Sequence, residues 1–286
     1  MKLIKYFFQF LIILILFLIF KILGFKLASS FSSKFFSFIG PFFRSKKLIE
    51  NNILKAIPDI DKYKIKKIID NMWKNYGKIL SDYVFMKNFR NSSLKNELII
   101  EGQEVLELIK KDNKPVIFIS GHFNNFELMA MHIEKSGINV AAVYRPLNNK
   151  FLNRIMEKIR KTYICKNQIK KGISGTKQLL SFFKSGVSIA LMIDQRVSQG
   201  IKSDFFKHKA YTTTIPAQFI KKFNCCVVPI HIERINDINF KLTIHNPLRY
   251  SSDVSLEAIT LDLNRWLEKM ILKNPDQWIW SHNRWK

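Results

Sequence analysis

The segment PVIFISGHFNNFE at residues 115–127 carries the side chains best suited to chemistry. An apolar run ends at Ser120, Gly121 permits a sharp turn, His122 follows at once, and Glu127 lies five residues on. A neutral imidazole holds a proton on one nitrogen and a lone pair on the other, so it can take a proton from a hydroxyl near neutral pH. On one continuous helix, residues five apart diverge by about 140° and their side chains do not meet. The pair can meet if His122 sits in a strand-to-helix turn and Glu127 in the first helical turn, with Asn124 or Asn125 capping the helix. Glu127 would then accept the proton of one ring nitrogen, fix the tautomer, and leave the other nitrogen as a general base. With 6 histidines and 22 acids in the chain, such a spacing also arises by chance, so its surroundings must carry the case.

Those surroundings alternate between short apolar runs and helical stretches. Strands are expected at Leu98–Ile100, Val116–Ser120, Asn139–Tyr144, Val187–Ile193, Cys226–Ile232 and Phe240–Ile244. Helices are expected at residues 61–86, Gln103–Lys110, Phe126–Lys135, Lys150–Lys161, Ser174–Lys184, Ile215–Lys222 and Leu256–Leu272. Alternation of this kind predicts an α/β fold, with a mixed, largely parallel sheet flanked by helices. In open sheets of that kind reactive groups collect beyond the carboxyl ends of the strands, where His122 falls.

The first 49 residues hold eight basic residues and no acid, and 12 of the 25 phenylalanines fall within residues 1–43. Residues 6–25 are long and apolar enough to cross a hydrocarbon core of about 30 Å. Lysines 21 and 26 interrupt the approach to Ala28-Ser29-Ser30, which makes a cleaved signal peptide the weaker reading. The expected organisation is an N-terminal transmembrane anchor (1–26), an interfacial connector (27–60) and a catalytic domain (61–286). Six of the eight basic residues lie at positions 21–47, which predicts a single membrane crossing with the following domain on the cytoplasmic face.

Residues 50–286 carry a net charge of about +17, a field that attracts phosphates, anionic lipid surfaces and acidic proteins. No groove-reading or RNA-binding motif accompanies it, so nucleic acid is not an expected partner. Arg145 follows a strand, where a fixed guanidinium suits a phosphate or serves in a structural ion pair. Asp194 ends the run Val187–Ile193 and could orient Arg145, bind a substrate hydroxyl or cap a turn. Gln195 and Arg196 follow as further substrate-binding candidates. Thr212, Thr213 and Thr214 could cap the helix after them. Trp278, Trp280 and Trp285 suit an interfacial belt or burial against the sheet. His122, Glu127 and His132 repeat every five residues, which does not match the compact His-Glu-x-x-His zinc arrangement, and no metal or other cofactor is expected. Cys165, Cys225 and Cys226 are odd in number and form no disulfide framework.

Gly121-His122-Phe123-Asn124-Asn125-Phe126-Glu127 resembles the His-x4-Asp/Glu signature of glycerolipid acyltransferases. It is more similar to the late acyltransferases of lipid A biosynthesis, which usually read Gly-His-Phe-Gly-Asn-Trp-Glu. Asn124 stands here for the Gly and Phe126 for the Trp. Three later blocks resemble the same family: residues 143–149; Asp194-Gln195-Arg196 with the stretch to Ala217; and the closing segment 276–286. The match covers residues 60–286 in order, plus the anchor. The resemblance implies a glycerolipid-acyltransferase-like fold with His122 and Glu127 as catalytic pair. It implies an acyl chain on acyl carrier protein as donor and a lipid A precursor as acceptor. Within the same superfamily, an acyl-CoA-dependent enzyme acting on another glycolipid or a lysophospholipid is the nearest alternative. A non-catalytic protein binding anionic lipid is the alternative outside enzymes.

Overall fold

The computed structural model describes residues 2–286. Its chain order is α1 (Lys2–Ile39), α2 (Lys46–Ala56), α3 (Lys62–Asp82), α4 (Met86–Arg90), β1 (Leu98–Glu101), α5 (Gln103–Asp112), β2 (Ile117–Ser120), α6 (Glu127–Lys135), β3 (Val140–Tyr144) and α7 (Lys150–Ile159). β4 (Asn167–Lys170), α8 (Ile173–Lys184), β5 (Ser188–Met192), β6 (Ile201–Phe205), β7 (His208–Thr212), α9 (Ile215–Phe223), β8 (Val227–Arg234), β9 (Phe240–Ile244) and α10 (Leu256–Lys273) follow.

Seven strands form one sheet in the order β1-β9-β8-β2-β5-β3-β4. Every pairing is parallel except β8 with β9, so β9 and β1 run against the other five. The expected mixed, largely parallel sheet is therefore present, with helices flanking it. Strand β2 lies in the interior of the sheet, and Ile117, Phe118 and Ile119 have no solvent exposure. A strand covered on both faces needs such an unbroken apolar run instead of an alternating one. A separate hairpin, β6–β7, turns through Phe206 and Lys207, both at positive φ, as two-residue hairpin turns require. Asn264 and Glu268 of α10 hold its backbone.

The N-terminal helix is long and apolar enough to cross a membrane. It bends at Gly24, whose φ of 73° and ψ of 167° suit a residue without Cβ. The second arm, residues 25–39, does not end as a free connector. Ala28, Ser29, Ser32 and Ser33 are buried, and Ser32 Oγ donates to the Gly77 carbonyl of α3 at 2.7 Å. Small side chains let the two backbones come close, and a Cβ on Gly77 would run into the Ser32 carbonyl. The opposite side of this arm and the turn after it leave Phe31, Phe38, Phe42 and Phe43 exposed.

Gly77→Val should therefore force α1 and α3 apart at a cost of about 1–3 kcal/mol. The measurement is thermal unfolding of the purified full chain in detergent. An unchanged Tm would show that the second arm is not seated on α3.

Candidate active site

Strands β2 and β5 pair in parallel with Ser120 opposite Met192. Two residues beyond each of these stand His122 and Asp194, so the register alone brings them side by side. The Ile193 amide donates to the Ser120 carbonyl at 2.9 Å and carries the ladder one step past the strands. The His122 backbone amide then donates to Asp194 Oδ2 at 2.9 Å, and the His122 ring meets Asp194 Oδ1 through Nδ1 at 2.7 Å. The indole Nε1 of Trp278 donates to Oδ2 at 2.8 Å.

Asp194 has no solvent exposure. Burial by itself would raise its pKa, but the His122 ring, the His122 amide and the Trp278 indole hold it down at about 2. It is thus a carboxylate at neutral pH and can only accept hydrogen bonds. The proton of a neutral His122 ring must then sit on Nδ1, leaving the lone pair on Nε2. Nε2 lies 3.4 Å from the Gln195 side-chain amide. The His122 side chain keeps 22% of its surface exposed, so a substrate can reach it. The Phe126 ring packs against it edge to face at 4.8 Å.

Glu127 takes a different position from the one its spacing predicts. Its Oε1 accepts from Tyr83 Oη at 2.6 Å, from Arg160 Nε at 2.8 Å and from Arg160 Nη2 at 2.6 Å. The ring nitrogen expected to meet Glu127 is occupied by Asp194 instead. Burial, then the neighbouring Glu127 charge, raises the Tyr83 hydroxyl well above its usual range. Burial alone would lower the Arg160 guanidinium, but Glu127 more than reverses this. Arg160 opens a turn of π-helix over Arg160–Ile164 that extends α7. Such turns reposition a side chain that a regular helix would point elsewhere.

The turn between β2 and α6 is held from outside. Asn124 adopts φ 41°, a conformation asparagine tolerates better than most residues. Its amide nitrogen donates to Asn75 of α3 at 2.7 Å and to Gln277 at 3.1 Å. Asn125 donates to Asp82 at 3.1 Å, and Asp82 is paired with Arg234 of β8 at 2.6 Å. Neither asparagine caps α6, contrary to expectation; its N-cap is Phe126, with no side-chain bond.

Of the other predicted residues, Asp194 meets His122 and Trp278 instead of Arg145. Arg145 is exposed just beyond β3. Its neighbour across the strand ends is Lys171, whose pKa burial and the Arg145 charge both lower. The Arg196 backbone amide donates to His282 Nε2 at 3.1 Å, and its guanidinium lies over the Tyr211 ring at 5.7 Å. His282 is kept neutral by burial, with its pKa lowered to about 4. Thr212 is buried and accepts from Arg284 Nη2 at 2.7 Å; at the start of α9 the Thr213 hydroxyl accepts from the Ile215 amide at 3.4 Å, while Thr214, the N-cap residue, makes no side-chain cap bond. Trp278 and Trp280 are buried, which settles them as supports of the site and not as an exposed belt. His132 turns to Gln103 at 2.7 Å, so His122, Glu127 and His132 each face a different partner. Burial pushes the Cys165 and Cys225 thiols up to about 12, which leaves them protonated and poorly nucleophilic.

The sequence reading missed Tyr83, Arg160 and the partnership of Asp194 with His122. Arg160 and Tyr83 carry no local signal. The Asp194 contact was within reach, because both residues closely follow apolar runs of a parallel sheet.

A family model for bacterial lipid A biosynthesis acyltransferases matches residues 1–286. The lipid A biosynthesis palmitoleoyltransferase of Escherichia coli K12 is 21% identical over 248 residues, 85% of this chain and 79% of the relative. The lauroyltransferase of the same organism is 21% identical over 251 residues, with the same coverage of 85% and 79%. Lipid A biosynthesis acyltransferase 2 of Shigella flexneri is 21% identical over 239 residues, 80% of this chain and 74% of the relative. The chain belongs to the bacterial lipid A biosynthesis acyltransferase family, and it is an acyltransferase.

Proposed function

We propose that the protein transfers a fatty acyl chain from acyl carrier protein to a hydroxyl of a lipid A precursor, with its domain at the cytoplasmic face of the inner membrane. The observation that carries this reading is a partly exposed His122 ring locked through Nδ1 by a buried carboxylate. On this reading Nε2 removes the proton of the acceptor hydroxyl as its oxygen attacks the thioester carbonyl. The tetrahedral intermediate expels the thiolate, which recovers the proton from the imidazolium. Asp194 steadies that imidazolium and holds the ring in one tautomer. Glu127 acts one step away, through the buried network it forms with Arg160 and Tyr83. The donor and the acceptor are both acidic, and the domain's charge of about +17 suits both. Arg145 and Lys171, adjacent cations at neighbouring strand ends, suit an anionic group of the acceptor.

His122→Ala should lower turnover by about 10²–10⁴-fold while the protein stays folded. Asp194→Asn should lower kcat on a similar scale with little change in KM, since it disturbs the ring and not the substrate. Steady-state kinetics with acyl carrier protein thioester and a lipid A precursor reads both, and near-normal turnover in His122→Ala removes the mechanism. In the host, mass spectrometry of lipid A should show one acyl group missing without the protein. Wild type, and not His122→Ala, should restore it; unchanged acylation would rule out this acceptor.

Glu127→Gln and Arg160→Met should each lose activity, and the double variant should be no worse than the stronger single one. Fully additive losses would mean that Glu127 works independently of Arg160.

A further inference from the structure

We infer that the first arm of α1 lies in the plane of the membrane, along one leaflet, with the N-terminus on the same side as the catalytic domain. Both ends of the arm are tied to that domain. Near its start, the Tyr6 carbonyl accepts from Asn149 Nδ2 at 2.8 Å, and the rings of Phe7 and Phe10 each pack 5.7 Å from Phe151 of α7. Asn149 is itself fixed, because its Oδ1 caps α7 through the Phe151 and Leu152 amides. Near the far end, Phe20 is fully buried, and Leu16, Phe17 and Leu23 pack against the core. The residues between follow one helical stripe: Tyr6, Phe10, Ile13, Phe17 and Phe20 are each more covered than the residues on the opposite face.

This geometry excludes a crossing while the arm is docked. From Tyr6 to Phe20 the helix rises about 21 Å. In a crossing its start would stand on the far side of about 30 Å of hydrocarbon from the domain. Instead its start touches α7, which presents Lys150, Arg154 and Lys158 to solvent. Each such cation costs about 2.5–3.5 kcal/mol at the centre of a bilayer. Helix α7 must therefore stay at the interface, and the arm beside it lies at the same depth.

The arm's composition fits this placement. An interfacial helix ordinarily needs a polar face for the water side. Here the domain covers that side, so both faces can be apolar. The outward stripe of Ile4, Phe8, Ile15, Leu18 and Ile22 is exposed by 59–76%. Lys2, Lys5, Lys21 and Lys26 stand at the two ends of the arm, where long side chains can reach lipid phosphates. The occupant of this surface is therefore an anionic lipid leaflet. The crossing expected from length and flanking charge gives way to an in-plane anchor.

The test uses the full chain in native membranes and compares sides, independently of which lipid is acylated. The variants Lys2→Cys and Lys286→Cys, each adding one cysteine, are probed with a membrane-impermeant maleimide in spheroplasts and in inverted vesicles, with the parent protein as blank for its own cysteines. The two positions should label from the same face. Phe10→Cys with Phe151→Cys, both in the membrane fraction, should cross-link within one chain through a short bismaleimide. Labelling of Lys2→Cys and Lys286→Cys from opposite faces would overturn the inference, as would failure of the cross-link. If both label from the periplasmic face, the in-plane anchor stands and the cytoplasmic orientation proposed above falls.

Discussion

Removing the Asp194 carboxylate from water costs several kcal/mol unless donors replace its hydration shell. Three donors do so, from two distant parts of the chain: the His122 amide, the His122 ring and the Trp278 indole. The amide and ring are in reach only at the observed β2–β5 register. A slip of one residue would turn one of the two side chains to the other face of the sheet. The indole is in reach only if the C-terminal segment is folded under the strand ends. Asn52 of α2 secures that segment by donating to the Trp280 and His282 carbonyls at 2.8 and 2.9 Å. A single buried charge thus demands correct sheet pairing and a correctly placed tail before the imidazole can be oriented.

Two further buried pairs extend the same logic to the helices that pack against α1. Asp82 at the end of α3 is paired with Arg234 and also receives Asn125 of the catalytic turn. One turn of helix earlier, Gly77 lets the second arm of α1 approach, and Asn75 receives Asn124. Helix α3 therefore holds the anchor on one side and the catalytic turn on the other. Glu127 and Arg160 add a third tie, from α6 to the end of α7, whose start carries the first arm of α1. The turn that positions His122 is built on the helices against which α1 packs.

Much of this was legible in the sequence because apolar runs and helical periodicity are local signals. All six expected strands exist, and each expected helix lies within a few residues of its place. The elements that escaped notice lack such signals. Strand β4, Asn-Gln-Ile-Lys, is a short polar edge strand, and the β6–β7 turn uses Phe206 and Lys207 where glycine or asparagine would mark a hairpin. Helix α2, spelled KKLIENNILKA, has only a thin apolar stripe. At the site, the turn and its histidine were local and were found. The partner of His122 was misassigned because five residues of sequence looked closer than 72, whereas a parallel sheet makes residues 72 apart direct neighbours. Glu127 meets Arg160, the first residue of a π-turn that leaves no pattern in composition.

The strand order also bears on which acceptor the proposed reaction can take. His122 stands at the end of β2 and Arg145 at the end of β3, with β5 between them. Neighbouring strands lie about 4.8 Å apart, so the base and the guanidinium's backbone are separated by about 10 Å across the sheet. Lys171 extends the cationic side by one more strand, beyond β4. Among the described residues, neither Arg145 nor Lys171 has a carboxylate partner within ion-pair distance. Two cations held side by side repel each other, and an anion between them relieves that repulsion. An acceptor that used both features would carry its reactive hydroxyl and its anionic group well apart. An extended glycolipid headgroup would suit such a spacing.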